Sequence, residues 1–354
     1  MYEKFYDLDG SPFLLTPDPR FFFSSSNHRR AITHLVYGLD QREGFIVITG
    51  EVGAGKTMLV EQLWLQLNRN TYAVSKVVTT QVSGDDLLRL VMDGFGLSVV
   101  QGTEKSVLLR RFEDMVRDQR NTGRRCVLVV DEVQNLSFAA LEELRMLSNI
   151  TVDGKASVQT ILLGQPQFRA ILASRDAEQL RQRVLASFHL GPMSEVETRL
   201  YIEHRLKTVG WTGNPRWEEE AFAAVHRYTD GTPRRINTLC SRVMQFGALE
   251  ERTAITAEMV EEVADEMAEG LNGVDTARPA NDAHGNTAGT AMERSGSFPL
   301  EHRSNGHRAI RTDTPGDLGD LVHRIEALEE VTARQDRVFQ RIVKMLAAAV
   351  EKGP

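Results

Sequence analysis

Apolar residues along this chain recur with two spacings. Up to about residue 191, short β-branched and aromatic runs read as strands: Phe45–Thr49, Tyr72–Thr80, Cys126–Val130, Val158–Leu163 and Ser187–Leu190. Between them apolar positions fall at threes and fours. That spacing predicts helices over Met58–Leu67, Asp85–Phe95, Glu104–Gln119 and Ser137–Asn149, and one more that ends near Arg181 and Arg183. The Cys126–Val130 run is apolar without a break, as a strand buried on both faces of a parallel sheet must be. Strands alternating with helices predict an α/β fold with a five-stranded parallel sheet over residues 45–191. From Ser194 to about Glu269 only the helical spacing remains, in the stretches Glu195–Val209, Trp217–Tyr228, Arg234–Gly247 and Thr256–Met267. Ser194 and Glu197 have the spacing of a capping box. Residues 192–269 therefore read as a small all-α lid domain.

The flanks differ from this body. Residues 1–44 hold Phe13, Pro17, Asp18, Pro19 and Phe21–Phe23, then Ser24–Asn27 as N-caps for a helix from His28 to about Gln41. Ile32, Leu35, Val36 and Leu39 share one face of that helix. This is an arm expected to pack on the α/β core, either closing over a bound base or covering a sheet edge. Residues 270–316 are rich in Asn, Gly, Thr, Ala, His, Arg and Asp, a composition that reads as a disordered linker. Over 317–352 a heptad-like pattern returns: Leu318, Leu321, Ile325, Leu328, Thr332, Gln335, Phe339, Ile342, Leu346 and Ala349. It suits a coiled-coil-like helix or an amphipathic helix docking on a partner.

Candidate chemistry concentrates at strand ends. After Phe45–Thr49 comes Gly50-Glu51-Val52-Gly53-Ala54-Gly55-Lys56-Thr57, with Met58 opening the next helix. This G-x-x-x-x-G-K-[ST] spacing between a strand and a helix is a phosphate-binding loop. Residues 50–58 are expected to wrap the phosphates of ATP with inward-facing N–H groups at a helix N-terminus. Lys56 is expected to reach the terminal phosphates and Thr57 to ligate Mg²⁺. The Cys126–Val130 strand ends in Asp131-Glu132, where open α/β sheets bind ligands. Asp131 is the second Mg²⁺ residue, and Glu132 the group that polarises an attacking water. One predicted strand separates loop and acid pair in the chain, which with Glu132 favours ATP-hydrolysing P-loop proteins over small-molecule kinases. Gln165, in Leu163-Gly-Gln-Pro166, is a candidate sensor of the γ-phosphate, with Asn149 a weaker one. Arg183, and less so Arg181, is placed as an arginine completing a neighbouring subunit's site. Arg234 and Arg235 follow Pro233 at a helix start, where cations oppose the helix dipole and an anion is wanted. Arg234 is the preferred lid sensor.

With 354 residues the chain is long enough for several domains, and 41% hydrophobic residues suffice for a core. A formal net charge of -7 argues against a surface that is wholly a nucleic-acid footprint. The two cysteines, Cys126 and Cys240, lie in apolar contexts and read as buried thiols in a reducing compartment. There is no metal-binding cysteine spacing, no apolar signal region at the N-terminus and no transmembrane run, so a cytoplasmic protein is expected.

Phe13-x-x-x-Pro17-Asp-Pro19, the loop Gly50–Thr57, Val130-Asp131-Glu132-Val-Gln134-Asn135-Leu136, Leu163-Gly-Gln165-Pro166 and Gly231-Thr-Pro-Arg234-Arg235-Ile-Asn237 together resemble the ExeA-like AAA+ ATPases, the general secretion pathway protein A family. The likeness covers roughly residues 1–268. Met1–Tyr6, Phe45–Thr57 and Leu141–Asn149 look like the subgroup associated with exosortase/PEP-CTERM and exopolysaccharide systems. The resemblance implies ATP and Mg²⁺, a homo-oligomer, and a role energising or licensing export or polysaccharide assembly at the envelope, peripheral to the inner membrane through a partner. Secretion members carry a membrane span and a peptidoglycan-binding region after the ATPase, where this chain has a polar linker and a heptad helix. The C-terminal helix is then the handle for a partner. Two other readings stand beside this one: a DNA-binding AAA+ regulator of the transposition-ATPase type, and a nucleotide-gated scaffold.

Overall fold

The computed structural model describes residues 2–66, 70–78, 83–152 and 154–272. The predicted helix over 317–352 and most of the predicted linker lie outside the described residues. After a one-turn helix α1 (Tyr2–Phe5) and a 3-10 turn at Pro19–Phe21 come α2 (Ser26–Gln41), β1 (Phe45–Gly50), α3 (Lys56–Gln66) and β2 (Tyr72–Val78). Then follow α4 (Gly84–Gly94), α5 (Lys105–Asn121), β3 (Arg125–Asp131), α6 (Phe138–Leu147), a small hairpin of β4 (Thr151–Val152) and β5 (Lys155–Ala156), and β6 (Val158–Gly164). The α/β part ends with α7 (Gln167–Ala173), α8 (Glu178–Arg181) and β7 (Val184–Leu190). The lid holds α9 (Glu195–Thr208), β8 (Arg216–Trp217), α10 (Glu219–Thr229), α11 (Pro233–Leu249), β9 (Ala254–Ile255) and α12 (Ala257–Asn272).

The five long strands form one parallel sheet in the order β2-β3-β6-β1-β7. Thus β6, not the strand that follows the loop in sequence, separates the loop strand from the acid-pair strand, and β2 is an edge. Alternation along each strand feeds both faces. Phe45 and Val47, with Leu128 and Val130, pack under α4, α5 and α6, while Ile46 and Ile48, with Val127 and Val129, pack under α2 and α3. Both faces are dry, which is why these strands read as unbroken apolar runs.

Caps set the helix starts. Ser25 Oγ accepts from His28 N at 3.2 Å and Ser137 Oγ from Ala140 N at 3.2 Å, so α2 begins at Ser26 and α6 at Phe138. The Ser194–Glu197 capping box is present at α9. The last strand starts earlier than expected, because Phe45 N donates to Arg183 O at 2.9 Å and draws the chain into the sheet there. α12 continues to Asn272, so the boundary expected at 270 falls inside a helix. The pairs β4–β5 and β8–β9, two residues per strand, are too short to show in a periodicity.

The arm departs from expectation. Only α2 covers the sheet, over β7 and β1. Tyr2, Tyr6, Leu8, Phe13 and Phe21 instead share one core with lid residues such as Ile202, Leu206, Leu239 and Val243. The cause is a buried guanidinium: Arg205 Nε donates to Pro12 O at 2.5 Å and Nη2 to Leu14 O at 3.1 Å, and the group lies 4.6 Å from the Phe21 ring centre. Carbonyls and an aromatic face, not a carboxylate, hold this charge, as weak hydration of guanidinium allows. The arm returns to the sheet at Ser25, whose Oγ lies 2.7 Å from Nδ1 of the buried His28.

Two consequences are measurable. Phe13 is 2% exposed and Leu15 56% exposed. Phe13→Ala should destabilise the fold by about 3–5 kcal/mol and Leu15→Ala by less than about 0.5 kcal/mol, read by urea unfolding. If Phe13→Ala is neutral, the arm's place in the lid core is refuted. Burial pushes the His28 pKa from 6.5 down to about 4, against the opposing charge of Glu197. A depressed histidine favours its neutral form in the folded state. Its contribution is therefore complete above pH 6.5 and is lost as pH falls from 6.5 towards 4, on the order of 3 kcal/mol. His28→Gln should flatten the stability–pH curve in that window, and an unchanged slope would refute it.

Candidate functional site

The turn after β1 is built by backbone conformations that side chains resist. Gly53 has φ +80° and Gly55 φ +94°. At Gly53 a Cβ would sit 2.2 Å from Arg234 Cβ, because α11 of the lid comes down directly on the loop. Arg234 N donates to Gly53 O at 3.2 Å. The turn delivers Lys56 and Thr57 to the start of α3, with the unpaired N–H groups of its first turn beside them. Lys56 is 6% exposed, and its Nζ donates to Gly50 O at 2.7 Å and Glu51 O at 3.0 Å. Burial lowers its pKa, and the charges of Glu132, Asp131 and Glu51 oppose that shift without cancelling it.

β3 lies two strand spacings from β1, with β6 between them, and Thr57 spans the gap. Thr57 Oγ1 donates to Asp131 Oδ2 at 2.7 Å, and Asp131 Oδ1 accepts from Glu132 N at 2.9 Å. Glu132 has φ +54° and turns the chain sharply into a 3-10 turn, Val133–Asn135. Its Oε2 accepts from Gln134 Nε2 at 2.6 Å and Gln165 Nε2 at 3.1 Å. Partial burial works to raise the Glu132 carboxyl. The hydrogen bonds from Gln134 and Gln165 and the charge of Lys56 outweigh it and hold the group below the usual value.

Lys56, Thr57 and Glu132 line one cleft of about 390 Å³, with Arg234 and Asn237 of the lid, His28 and the arm's Phe22 and Phe23 around it. That volume lies in the range of small-ligand sites. Among the described residues no cluster of three or more metal-ligating side chains exists. The hydroxyl–carboxylate pair Thr57 and Asp131 is instead a sparse, all-oxygen donor set, of the kind that suits Mg²⁺ completed by phosphate oxygens and water.

Several candidates fall elsewhere. Asn149 lies beside a second depression with Glu113 and Arg117, at the far end of α6, because that helix runs away from the strand ends that carry the loop. It is not a cleft residue. Arg235 turns outward to Asp230 at 2.6 Å and Tyr228 O at 2.8 Å, which leaves Arg234 alone at the loop. Arg183 sits at the opening of β7, and Nη1 donates to Ser148 Oγ at 3.2 Å. The loop lies at the other end of the adjacent six-residue β1, roughly 15–20 Å along the strand, beyond an arginine's reach. Arg181 is exposed near Ala173 O. Sequence reading missed His28 and Arg205 as cleft residues, and Gln134 as the partner of the cleft's Glu132. The turn after Asp131-Glu132 was the one local signal for Gln134; the other two reach the cleft only through tertiary packing.

Residues 39–172 match the AAA domain family. The chain is 35% identical over 248 residues to general secretion pathway protein A of Aeromonas hydrophila, covering 69% of this chain and 44% of that protein. It thus spans less than half the length of that relative. Among solved structures it is similar to Cdc6p from Pyrobaculum aerophilum, with TM-score 0.59 and 16% identity over 72% of this chain and 70% of that one. It is also similar to the ORC2 protein of Aeropyrum pernix in its ADPNP–ADP complexes, with TM-score 0.57 and 16% identity over 73% and 72%. At such identities these structures speak to fold alone, and the fold is that of an α/β P-loop NTPase with an AAA domain at residues 39–172.

Proposed function

We propose that this chain binds ATP with Mg²⁺ and hydrolyses it, as an AAA+ ATPase of the general secretion pathway protein A type. The observation that carries this reading is the Thr57–Asp131 contact of 2.7 Å, with Lys56 and Glu132 on the same cleft. Residues 50–58 would bind the phosphates through their N–H groups, and Lys56 would neutralise the terminal ones. Thr57 and Asp131 would hold Mg²⁺, which supplies charge neutralisation at the phosphates. Glu132 orients and polarises the attacking water. Gln165, on the same carboxylate, and Arg234, on the loop, are the γ-phosphate sensors from sheet and lid. A water-polarising carboxylate distinguishes this arrangement from a nucleotide-gated scaffold.

Arg183 lies too far from its own cleft to act there, which supports a role in a neighbouring subunit of a homo-oligomer. The 35% identity to general secretion pathway protein A supports a task in envelope export or assembly, here assigned to an exopolysaccharide or exosortase/PEP-CTERM system. The protein would then work from the cytoplasmic side of the inner membrane through a partner, for which the heptad pattern over 317–352 is the handle. No helix among the described residues is long and apolar enough to cross a membrane.

Lys56→Ala should abolish ATP binding in calorimetry. Glu132→Gln should keep ATP affinity while kcat falls roughly 10²–10⁴-fold; turnover at the wild-type rate would sink the role given to Glu132. Turnover per subunit should rise with protein concentration alongside ATP-dependent assembly in native mass measurements. Arg183→Ala should lose about 10³-fold in rate or more. A monomer with concentration-independent turnover, indifferent to Arg183→Ala, would refute the shared site.

A further inference from the structure

Glu132 faces the cleft from a backbone conformation that residues with a side chain rarely adopt, φ +54°. Something must hold it there. Gln134, two residues on, donates from Nε2 to Glu132 Oε2 at 2.6 Å. Its Oε1 accepts from the backbone N of Gln165 at 2.9 Å, and Gln165 Nε2 donates to the same Glu132 oxygen at 3.1 Å. The three side chains close a ring between the end of β3 and the end of β6. The approach is close: a Cβ on Gly164 would lie 2.9 Å from Val133 Cγ2 and 3.4 Å from Gln134 Oε1. Glycine there lets the turn that carries Gln134 come against β6.

Resting on the reading of this cleft as an ATPase site, we propose that Gln134 is a positioning residue, whose amide fastens the Glu132 carboxylate to the end of β6 and keeps it aimed into the cleft. An amide is suited to this because it offers a donor and an acceptor on one rigid plane. One end takes the carboxylate and the other takes a main-chain N–H, so the carboxylate is referenced to the sheet rather than to a mobile neighbour. Gln165 shares the same oxygen, so the residue placed to sense the γ-phosphate and the residue placed to activate water are joined through Gln134. A carboxylate misplaced by a fraction of an ångström to an ångström loses much of its effect on a reacting water. Gln134 is half-buried in a turn, and an isosteric apolar replacement leaves the packing in place.

The test is Gln134→Met, which keeps length and removes the amide, with Gln134→Leu as a second variant. In steady-state ATPase assays of the full chain, kcat should fall about tenfold, the scale of one charge-assisted hydrogen bond. KM, ATP affinity and the thermal midpoint should stay at wild-type values. In a Glu132→Gln background, Gln134→Met should add no further loss to the single-turnover rate, because no carboxylate remains to be positioned. Wild-type kcat in both Gln134 variants, or an equal tenfold loss in the Glu132→Gln background, would overturn the assignment. Wild-type turnover measured alongside separates the two levels. Absent turnover overturns the ATPase reading and this role with it, whereas normal turnover with unaffected Gln134 variants overturns this role alone.

Discussion

The cleft depends on one alignment: β6 sets β3 against β1, pairing Val130 with Leu162 and Leu162 with Val47, so that Asp131 at the end of β3 follows just short of Gly50, where the loop begins. Neighbouring strands lie about 4.8 Å apart, so the loop strand and the acid-pair strand are separated by about 10 Å. That gap is just bridged by a threonine from the first turn of α3 and an aspartate at the end of β3. Register fixes this. A slip of one residue in β3 would turn Asp131 to the face beneath α4 and α6, away from Thr57 of α3. The dry cores on both faces make such a slip costly, since every side chain of β1 and nearly all of β3 is buried. The hydrophobic alternation that builds the sheet is therefore also what places the polar groups.

The lid is tied to the sheet by more than its chain connection. The arm's first part is embedded in the lid core and its helix α2 lies on β7 and β1. Residues 22–25 thus cross from lid to sheet next to residues 191–194, where the chain crosses the other way. Ser26 N donates to Glu197 Oε1 at 2.6 Å and Asn27 Nδ2 to Pro192 O at 3.0 Å, so the two crossings are fastened together. With Arg234 N on Gly53 O, the lid meets the phosphate-binding loop itself. This double strap joins lid and sheet, and the arm's head is part of the lid core.

Much of this was legible in the sequence because the information is local. The loop at 50–57, the acid pair after an apolar strand and the capping box at Ser194 depend on spacing along a few residues, and such spacing survives without knowledge of the fold. The first three lid helices were legible for the same reason, to within a residue or two at their ends, while the last runs five residues beyond the expected Met267. The first part of the arm was misplaced because its aromatics reveal that they need a surface, not which one, whereas α2 lies on the sheet edge as its apolar face implied. Arg205, which decides the matter, reads in sequence as an ordinary polar position on α9. Asn149 and Gln165 both follow or end predicted elements, yet only a β-strand ends at the cleft; the helix carries Asn149 back to the opposite side. Gln134 looked like part of a family motif, and its task appears only when the end of β6 comes within reach.

The charges of the cleft show why an anion belongs there. Lys56, Arg234 and the N-terminal ends of α3 and α11 all converge on the loop, and Arg205 stands behind the arm, hydrogen-bonded to Pro12 O, Leu14 O and the Tyr201 hydroxyl. Two of the opposing groups, Asp131 and Glu132, are already engaged by Thr57 and by the two glutamines. Lys56 Nζ donates to the carbonyl oxygens of Gly50 and Glu51, which solvate a buried ammonium without neutralising it, and the nearby carboxylates do not cancel the effect of its burial. A ligand with several negative charges would satisfy all of these groups at once, on both lid and loop. Its binding would draw together the bodies that the arm already straps. In such a cleft a ligand favours closure by the difference in its affinity for the closed and open arrangements, and groups on both loop and lid supply that difference.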